Sequence, residues 1–135
     1  MALILVIDDN EEIRRLLRQV LESAHHEVLE AGNGDEGLKC VDNQKVDLVI
    51  TDVFMPEKDG LEILREMRKN HPGMNVIAMS GGGQFGNMDI MRTARSFGAF
   101  RVMAKPFNLN EMLQIVSAAL AEIPPEDAGG LPQPK

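Results

Sequence analysis

The sequence predicts an α/β domain, in which a doubly wound parallel sheet of five strands is covered by five helices. Short apolar runs alternate with amphipathic segments five times along the chain. A parallel sheet produces this alternation because each right-handed crossover lays a helix against the strands. With 135 residues, 44% of them hydrophobic, the chain suffices for one packed domain of ordinary size.

The first strand and helix give the clearest pattern. The run Ala2–Ile7 is continuously apolar, which is typical of a strand buried on both faces. The next segment has apolar residues at helical spacing, and these are Ile13, Leu16, Leu17, Val20 and Leu21. Its polar positions, which we expect to face solvent, are Arg14, Arg15, Arg18 and Glu22. Asp9 and Glu12 have the spacing of a capping box at the start of this helix.

The later elements repeat this order of strand and helix. The predicted strands are Glu27–Ala31, Asp47–Thr51, Asn75–Met79 and Arg101–Ala104. The predicted helices lie around Asp35–Asp42, over Leu61–Met67 with an end near Asn70, around Met88–Ala94, and over Leu109–Leu120. Capping pairs precede two of them, Asp59 with Glu62 and Asn108 with Glu111. Met88, Met91 and Met103 are expected to be core residues.

The last segment differs in composition from the rest of the chain. Residues Ile123–Lys135 contain four of the seven prolines and a Gly-Gly pair, which is typical of a linker or a disordered tail. We therefore expect one domain over residues 1–122 and a tail over residues 123–135.

Composition excludes several classes of protein. The formal net charge is −7, which argues against direct binding to nucleic acid or to an anionic membrane, because both are polyanions. Cys40 is the only cysteine, which excludes disulfide and zinc-finger scaffolds. No apolar run approaches the roughly 18 residues of a membrane span. The run Ala2–Ile7 also lacks the basic start and the length of a signal peptide. Together these features favour a cytoplasmic protein.

Polar residues follow four of the five predicted strands. They are Asp8 and Asp9, Asp52, Ser80 and Lys105. In open parallel sheets, functional groups collect at the carboxyl ends of the strands. Three carboxylates there would repel one another unless a hard divalent cation such as Mg²⁺ compensates them. One carboxylate can then attack phosphorus to form an acyl phosphate, while the cation, Lys105 and the Ser80 hydroxyl contact the phosphoryl oxygens.

With these motifs the chain resembles the receiver domain of two-component response regulators, the CheY-like family. The resemblance covers roughly residues 2–121, and it is carried by Ile4–Asp9, Asp52–Pro56 with Asp59–Gly60, Ser80, and Lys105–Phe107. It implies a flavodoxin-like sheet with strand order 2-1-3-4-5. It also implies a phosphorelay function with Mg²⁺ as cofactor.

The resemblance implies a role for each residue of the acidic site. Asp52 matches the phosphoacceptor. Asp8 and Asp9 match the acidic pair that holds Mg²⁺, with Asp9 and Asp52 as the more direct ligands. The backbone carbonyl of Phe54 falls where the family supplies a further metal ligand.

The resemblance also implies how the phosphoryl group is contacted, and from where it comes. Ser80 matches the hydroxyl that moves to meet the phosphoryl group, and Lys105 matches the lysine that pairs with it. Family members take this group from a phosphohistidine on a sensor histidine kinase or a histidine phosphotransfer protein, and they catalyse their own dephosphorylation. They then change the surface of the fourth helix, fifth strand and fifth helix, which acts on a downstream target or an output domain. Arg14, Arg15 and Arg18 are candidates for docking the donor.

Three features depart from the family pattern. Val102 stands where the family often has an aromatic side chain that rotates on phosphorylation. The loop Ser80–Gly86 is rich in glycine, with Gly81–Gly83 in succession, and it is either a plain insertion or a segment that remodels around the phosphate. Phe54 lies two residues past Asp52, and we hypothesise that it shields the phosphoryl group from water.

Other functions fit the sequence less well. The segment Gly32–Gly37 fits the dinucleotide-binding pattern, but Asp35 and Glu36 place negative charge where a pyrophosphate would sit. A Mg²⁺-dependent phosphohydrolase would need an acid/base residue, yet the three histidines are predicted at helix ends or turns: His25, His26 and His71. A receiver that binds partners without phosphorylation is disfavoured by the complete set of acidic, hydroxyl and lysine groups. Saturable nucleotide binding or turnover of phosphomonoesters would separate these alternatives.

Overall fold

A computed structural model of the chain describes residues 2–52, 60–80, 101–104 and 108–121. The strands are β1 Leu3–Ile7, β2 Glu27–Ala31, β3 Leu48–Asp52, β4 Asn75–Ser80 and β5 Arg101–Ala104. The helices of these segments are α1 Glu11–Ser23, α2 Gly34–Asn43, α3 Gly60–Asn70 and α4 Leu109–Ala121. The predicted helix around Met88–Ala94 and the glycine-rich loop before it lie outside the described residues.

The five strands form one parallel sheet in the order β2-β1-β3-β4-β5. This confirms the predicted α/β class and strand order. Two strands extend one residue beyond their predicted ends, since β3 includes Asp52 and β4 includes Ser80. Both residues therefore end a strand instead of following it, and their backbones belong to the sheet.

The core has two halves, one on each face of the sheet. Alternate residues of β1 point to opposite faces, so that Leu5 and Ile7 belong to one half while Ile4 and Val6 belong to the other. Helices α2 and α3 cover the first face with Val41, Ile63, Leu64 and Met67. Helices α1 and α4 cover the second face with Leu17, Leu21, Met112, Val116 and Ala119. Met103 is buried in the second half, as predicted.

Three predictions about helix α1 are wrong: its N-cap residue and the exposure of two of its side chains. Its N-cap is Asn10 and not Asp9: the Asn10 Oδ1 accepts hydrogen bonds from the backbone N–H groups of Glu12 (2.8 Å) and Ile13 (3.2 Å). Asparagine caps helices as well as aspartate does, and the later start leaves the Asp9 carboxylate at the edge of the sheet. Leu16, expected to pack inward, is 39% exposed. Arg14, expected in solvent, has a side chain that is only 18% exposed.

Two other described helices begin after asparagine caps, of which Asn108 was predicted. Asn33 caps α2, and Asn108 caps α4 by accepting from the Glu111 N–H at 3.1 Å. The predicted cap Asp59 lies outside the described residues. In the part of the chain that the structure covers, none of the helices has the length and apolar character needed to cross a bilayer.

The glycine pattern at the start of α2 serves capping and packing. Asn33 Oδ1 accepts from the Glu36 N–H, while Glu36 Oε1 accepts from the Gly32 N–H, each at 2.9 Å. Gly37 lies against Ile7 and leaves no room for a side chain. An added Cβ would clash with Ile7 Cδ1 and would lie 2.8 Å from Cγ1. The segment therefore forms a helix cap and a close contact between α2 and β1.

Candidate functional site

The predicted acidic residues meet at the carboxyl edge of the sheet. Ile7 of β1 pairs with Thr51 of β3, so the next residue of each chain segment, Asp8 and Asp52, lies at the same edge. Asp9 adjoins them, and one carboxylate oxygen of each aspartate lies within 4.8 Å of the others. Asp8 is fully buried and Asp52 is 5% exposed, whereas Asp9 faces solvent. The structure thus brings together all three carboxylates that the sequence singled out.

Backbone hydrogen bonds hold Asp8 in place. Its N–H donates to the Ala31 carbonyl of β2 at 3.1 Å, and its Oδ1 accepts from the Asn10 N–H at 2.9 Å. Its own carbonyl oxygen accepts from Arg14 Nη1 at 2.8 Å. Asp8 is therefore anchored to β2 and to the start of α1, and the β1–α1 turn has a defined geometry.

Asp52 is placed by the central strand. Its backbone is in register with Met79 of β4, and its carbonyl accepts from the Thr51 hydroxyl at 3.1 Å inside the protein. A nucleophilic or metal-binding side chain at this position is carried by the central strand and is nearly buried, which limits the directions in which it can be approached.

The donor set fits a hard divalent cation. All three donors are carboxylates, which Mg²⁺ prefers over the nitrogen and sulfur ligands of softer metals. Two of the carboxylates are buried, and burial of negative charge is unfavourable unless positive charge compensates it. The exposed Asp9 leaves one side of the cluster open to water, as a Mg²⁺ site needs. The cluster can therefore hold a metal ion of this type.

Three further predicted site residues are described only in part or not at all. Ser80 ends β4, one residue beyond the partner of Asp52, and its backbone is in register with Ala104 of β5. Lys105 follows Ala104 in the chain but lies outside the described residues, as does Phe54. Their roles stay predictions from the sequence, as does the role of the Ser80 hydroxyl.

Sequence reasoning missed a charged network beside the acidic site. Arg14 Nε donates to Glu30 Oε1 at 3.0 Å, and Arg18 Nη1 donates to Glu30 Oε2 at 2.8 Å. The hydrogen bond from Arg18, followed by that from Arg14, lowers the pKa of the Glu30 carboxyl below its ordinary value despite partial burial. Glu30 is a charged residue between the apolar residues Leu29 and Ala31 of β2, and this was the signal in the sequence that could have indicated the network.

The histidines lie away from the carboxyl edge. His25 and His26 follow α1, and His71 follows α3, as predicted. His26 Nδ1 accepts from the Ala2 N–H at 3.2 Å, next to the start of β1, and burial lowers the pKa of this ring. His71 Nε2 lies 2.7 Å from Asp42 Oδ1. None of the three can act as an acid or a base at the acidic cluster.

A five-stranded parallel sheet in this order, with an acidic cluster where β1 and β3 end, is the arrangement that the resemblance to receiver domains implied. Residues 4–117 match the family described as the response regulator receiver domain. The chain belongs to this family and is a receiver domain of two-component response regulators.

Named relatives and solved structures agree with this assignment. The chain is 40% identical over 119 residues to the DNA-binding transcriptional regulator NtrC of Bradyrhizobium sp. (strain RP501 Parasponia), covering 88% of this chain but 24% of that protein. It is 33% identical over 117 residues to sporulation initiation phosphotransferase F of Bacillus subtilis (strain 168), covering 87% of this chain and 92% of that one. A response regulator receiver domain protein from Clostridium thermocellum superposes with a TM-score of 0.81 at 37% identity, covering 89% and 94% of the two chains. The chain thus spans about a quarter of the length of the NtrC relative and nearly all of the phosphotransferase.

Proposed function

We propose that this chain accepts a phosphoryl group on Asp52 from a phosphohistidine, with Mg²⁺ held at the same site. The observation that carries the proposal is the approach of three carboxylates to within 4.8 Å, with Asp52 nearly buried at the end of the central strand. In this proposal Asp8, Asp9, Asp52 and the backbone carbonyl of Phe54 hold the metal ion.

The reaction transfers one phosphoryl group. A carboxylate oxygen of Asp52 attacks phosphorus, the phosphorus–nitrogen bond of the donor breaks, and its electron pair returns to the imidazole. When bound, Mg²⁺ neutralises charge on the transferring oxygens. Lys105 pairs with one phosphoryl oxygen and the Ser80 hydroxyl donates to another. Water later attacks the acyl phosphate, which restores the Asp52 carboxylate and releases inorganic phosphate.

Signalling follows from the change at Asp52. The strand β4 that ends at Ser80 and the strand β5 that leads to Lys105 are adjacent, so contacts of both residues with a phosphoryl group would alter this side of the domain. With Val102 in place of an aromatic residue, we assign the response to movement of the Ser80 region and not to rotation of a ring.

The phosphoryl donor in this proposal is a sensor histidine kinase or a histidine phosphotransfer protein. The transfer takes place in the cytoplasm, where such kinases are phosphorylated by ATP. The recipient is a downstream protein or an output domain joined through residues 123–135, beyond a receiver domain of residues 1–122. The net charge of −7 disfavours nucleic acid as a direct ligand of this domain.

Beryllofluoride, which binds an aspartate as a phosphoryl mimic, tests the site. Addition of Mg²⁺ followed by beryllofluoride should shift the backbone amide resonances at the ends of β1, β3 and β4 in the wild type. Asp52→Asn should abolish the second set of shifts, whereas Asp42→Asn, which removes an exposed carboxylate paired with His71, should leave them intact. A wild type that gives no shifts with beryllofluoride would overturn the proposal.

A further inference from the structure

The guanidinium of Arg14 lies between the acidic site and strand β2. Nη1 donates to the Asp8 carbonyl at 2.8 Å and Nε donates to Glu30 Oε1 at 3.0 Å. A Cβ added to Gly32 would lie 3.5 Å from Nη1, so the guanidinium rests against the backbone that leaves β2. The side chain is 18% exposed, and two hydrogen bonds hold its charged end.

The Asp8 carbonyl belongs to the peptide group that connects Asp8 to Asp9. A peptide group is planar and turns as a unit, so a hydrogen bond to its oxygen also fixes the nitrogen and the Cα of the next residue. The contacts to Ala31 and Asn10 fix the Asp8 N–H and carboxylate, which leaves the orientation of the following peptide to Arg14.

Asp9 depends on this orientation more than its neighbours do. It faces solvent, and within the described segments its carboxylate makes no hydrogen bond or ion pair. Asp8 and Asp52 are buried by the sheet and the helices, whereas the position of Asp9 is set mainly by the backbone on either side. The Arg14 hydrogen bond controls one of those sides.

Glu30 in turn orients Arg14. Its carboxylate accepts from Arg14 and Arg18 together, and Arg18 is also paired with Glu22 at 3.0 Å. Because Glu30 keeps its charge at neutral pH, the guanidinium of Arg14 is held in the direction that points Nη1 at the Asp8 carbonyl.

We propose that Arg14 is a positioning residue for the metal site, which holds the Asp8–Asp9 peptide so that the Asp9 carboxylate stays beside those of Asp8 and Asp52. This inference rests on the proposed binding of Mg²⁺ by these carboxylates. It assigns a role in the site to a side chain that never touches the cation.

The affinity for Mg²⁺ alone, measured by amide and carbonyl resonances of the full chain at fixed ionic strength, tests the inference. Arg14→Ala should raise the Kd for Mg²⁺ about tenfold, as is typical for loss of a residue that supports a metal ligand. Arg14→Lys keeps the charge and one donor, so its Kd should lie between those of the wild type and Arg14→Ala. In both variants the carbonyl resonance of Asp8 should shift before any metal is added.

The sign of the effect separates positioning from simple electrostatics. Removal of a positive charge near a cation site strengthens cation binding through Coulomb forces, whereas loss of positioning weakens it. Arg15→Ala is the matched control, since Arg15 lies on the same helix, is 63% exposed and pairs only with Glu11 among the described residues. This variant should bind Mg²⁺ as the wild type does.

The two proposals fail in different ways. Folded Arg14→Ala with a Kd equal to or below that of the wild type would overturn the positioning role and leave the metal site standing. If Arg14→Ala does not fold, Arg14→Lys with an unchanged Kd would overturn the positioning role instead. A wild type that binds no Mg²⁺, or binds it equally well after Asp9→Asn, would overturn the proposed metal site itself.

Discussion

Gly37 is where α2 comes closest to the sheet, and Gly37→Ala is expected to destabilise the domain. A Cβ at this position would clash with Ile7 Cδ1 and would lie 2.8 Å from Cγ1. Ile7 is fully buried and branched at Cβ, so its side chain has little room to turn away. Ile7 directly precedes Asp8, so the strain acts next to the acidic site.

Two opposing contributions determine how much Gly37→Ala changes the free energy of unfolding. Overpacking by one methyl group in a filled core costs about 1–3 kcal/mol. Replacement of glycine by alanine inside a helix recovers about 1 kcal/mol of helix propensity. Because both contacts of the added carbon are shorter than normal, we expect the overpacking cost to exceed the gain in helix propensity. Gly37→Ala should therefore lower the unfolding free energy by about 1–2 kcal/mol.

Urea unfolding followed by far-ultraviolet circular dichroism measures this change, since the chain has neither Trp nor Tyr. Gly32→Ala is the matched control, because its added Cβ would lie at an ordinary 3.5 Å from Arg14 and should change stability little. Ile7→Val removes Cδ1, so the double variant with Gly37→Ala should lose less stability than the two single changes summed. A Gly37→Ala variant as stable as the wild type would refute the packing argument.

Three further predictions concern the described network, a helix cap and the site. The pKa of Glu30 is below its ordinary value of 4.5 because Arg18 and then Arg14 donate to it; stability from this carboxylate is therefore complete above that value and is lost as pH falls through the folded pKa. Glu30→Gln should accordingly be less stable than the wild type in urea at neutral pH, with a difference that shrinks in acid. Asn10→Ala should lower the unfolding free energy by about 1 kcal/mol through loss of the N-cap, and an unchanged urea midpoint would contradict this. Phe54→Asn should speed the loss of phosphate, because a shielding ring is removed; unchanged or slower dephosphorylation would reject the hypothesis.

The fold and the acidic cluster were predictable because both follow from the pattern of the chain. Continuous apolar runs indicate strands buried on both faces, and parallel strands bring their carboxyl ends to one edge. Asp8, Asp9 and Asp52 meet there as expected. The predicted end of β3 is wrong by one residue, since a charged side chain such as Asp52 does not resemble a strand residue when read by hydrophobicity.

The network at Arg14 could not be predicted from periodicity. Helical spacing places Arg14 on the polar face of α1, and it contains no information on how far a long side chain reaches. The predicted cap of α1 is wrong for a related reason: Asp9 and Asn10 are equally good caps by type. In the structure a local turn accompanies the choice of Asn10, because the Asp8 Oδ1 accepts from the Asn10 N–H, and hydrophobic spacing contains no information on this hydrogen bond.

The intact mass of the chain after incubation with acetyl phosphate and Mg²⁺ tests the central claim most directly. The wild type is predicted to gain the mass of one phosphoryl group, and Asp52→Asn is predicted to gain none under the same conditions. A wild type without added mass, or an Asp52→Asn variant that gains it equally, would contradict the assignment of Asp52 as the phosphoacceptor.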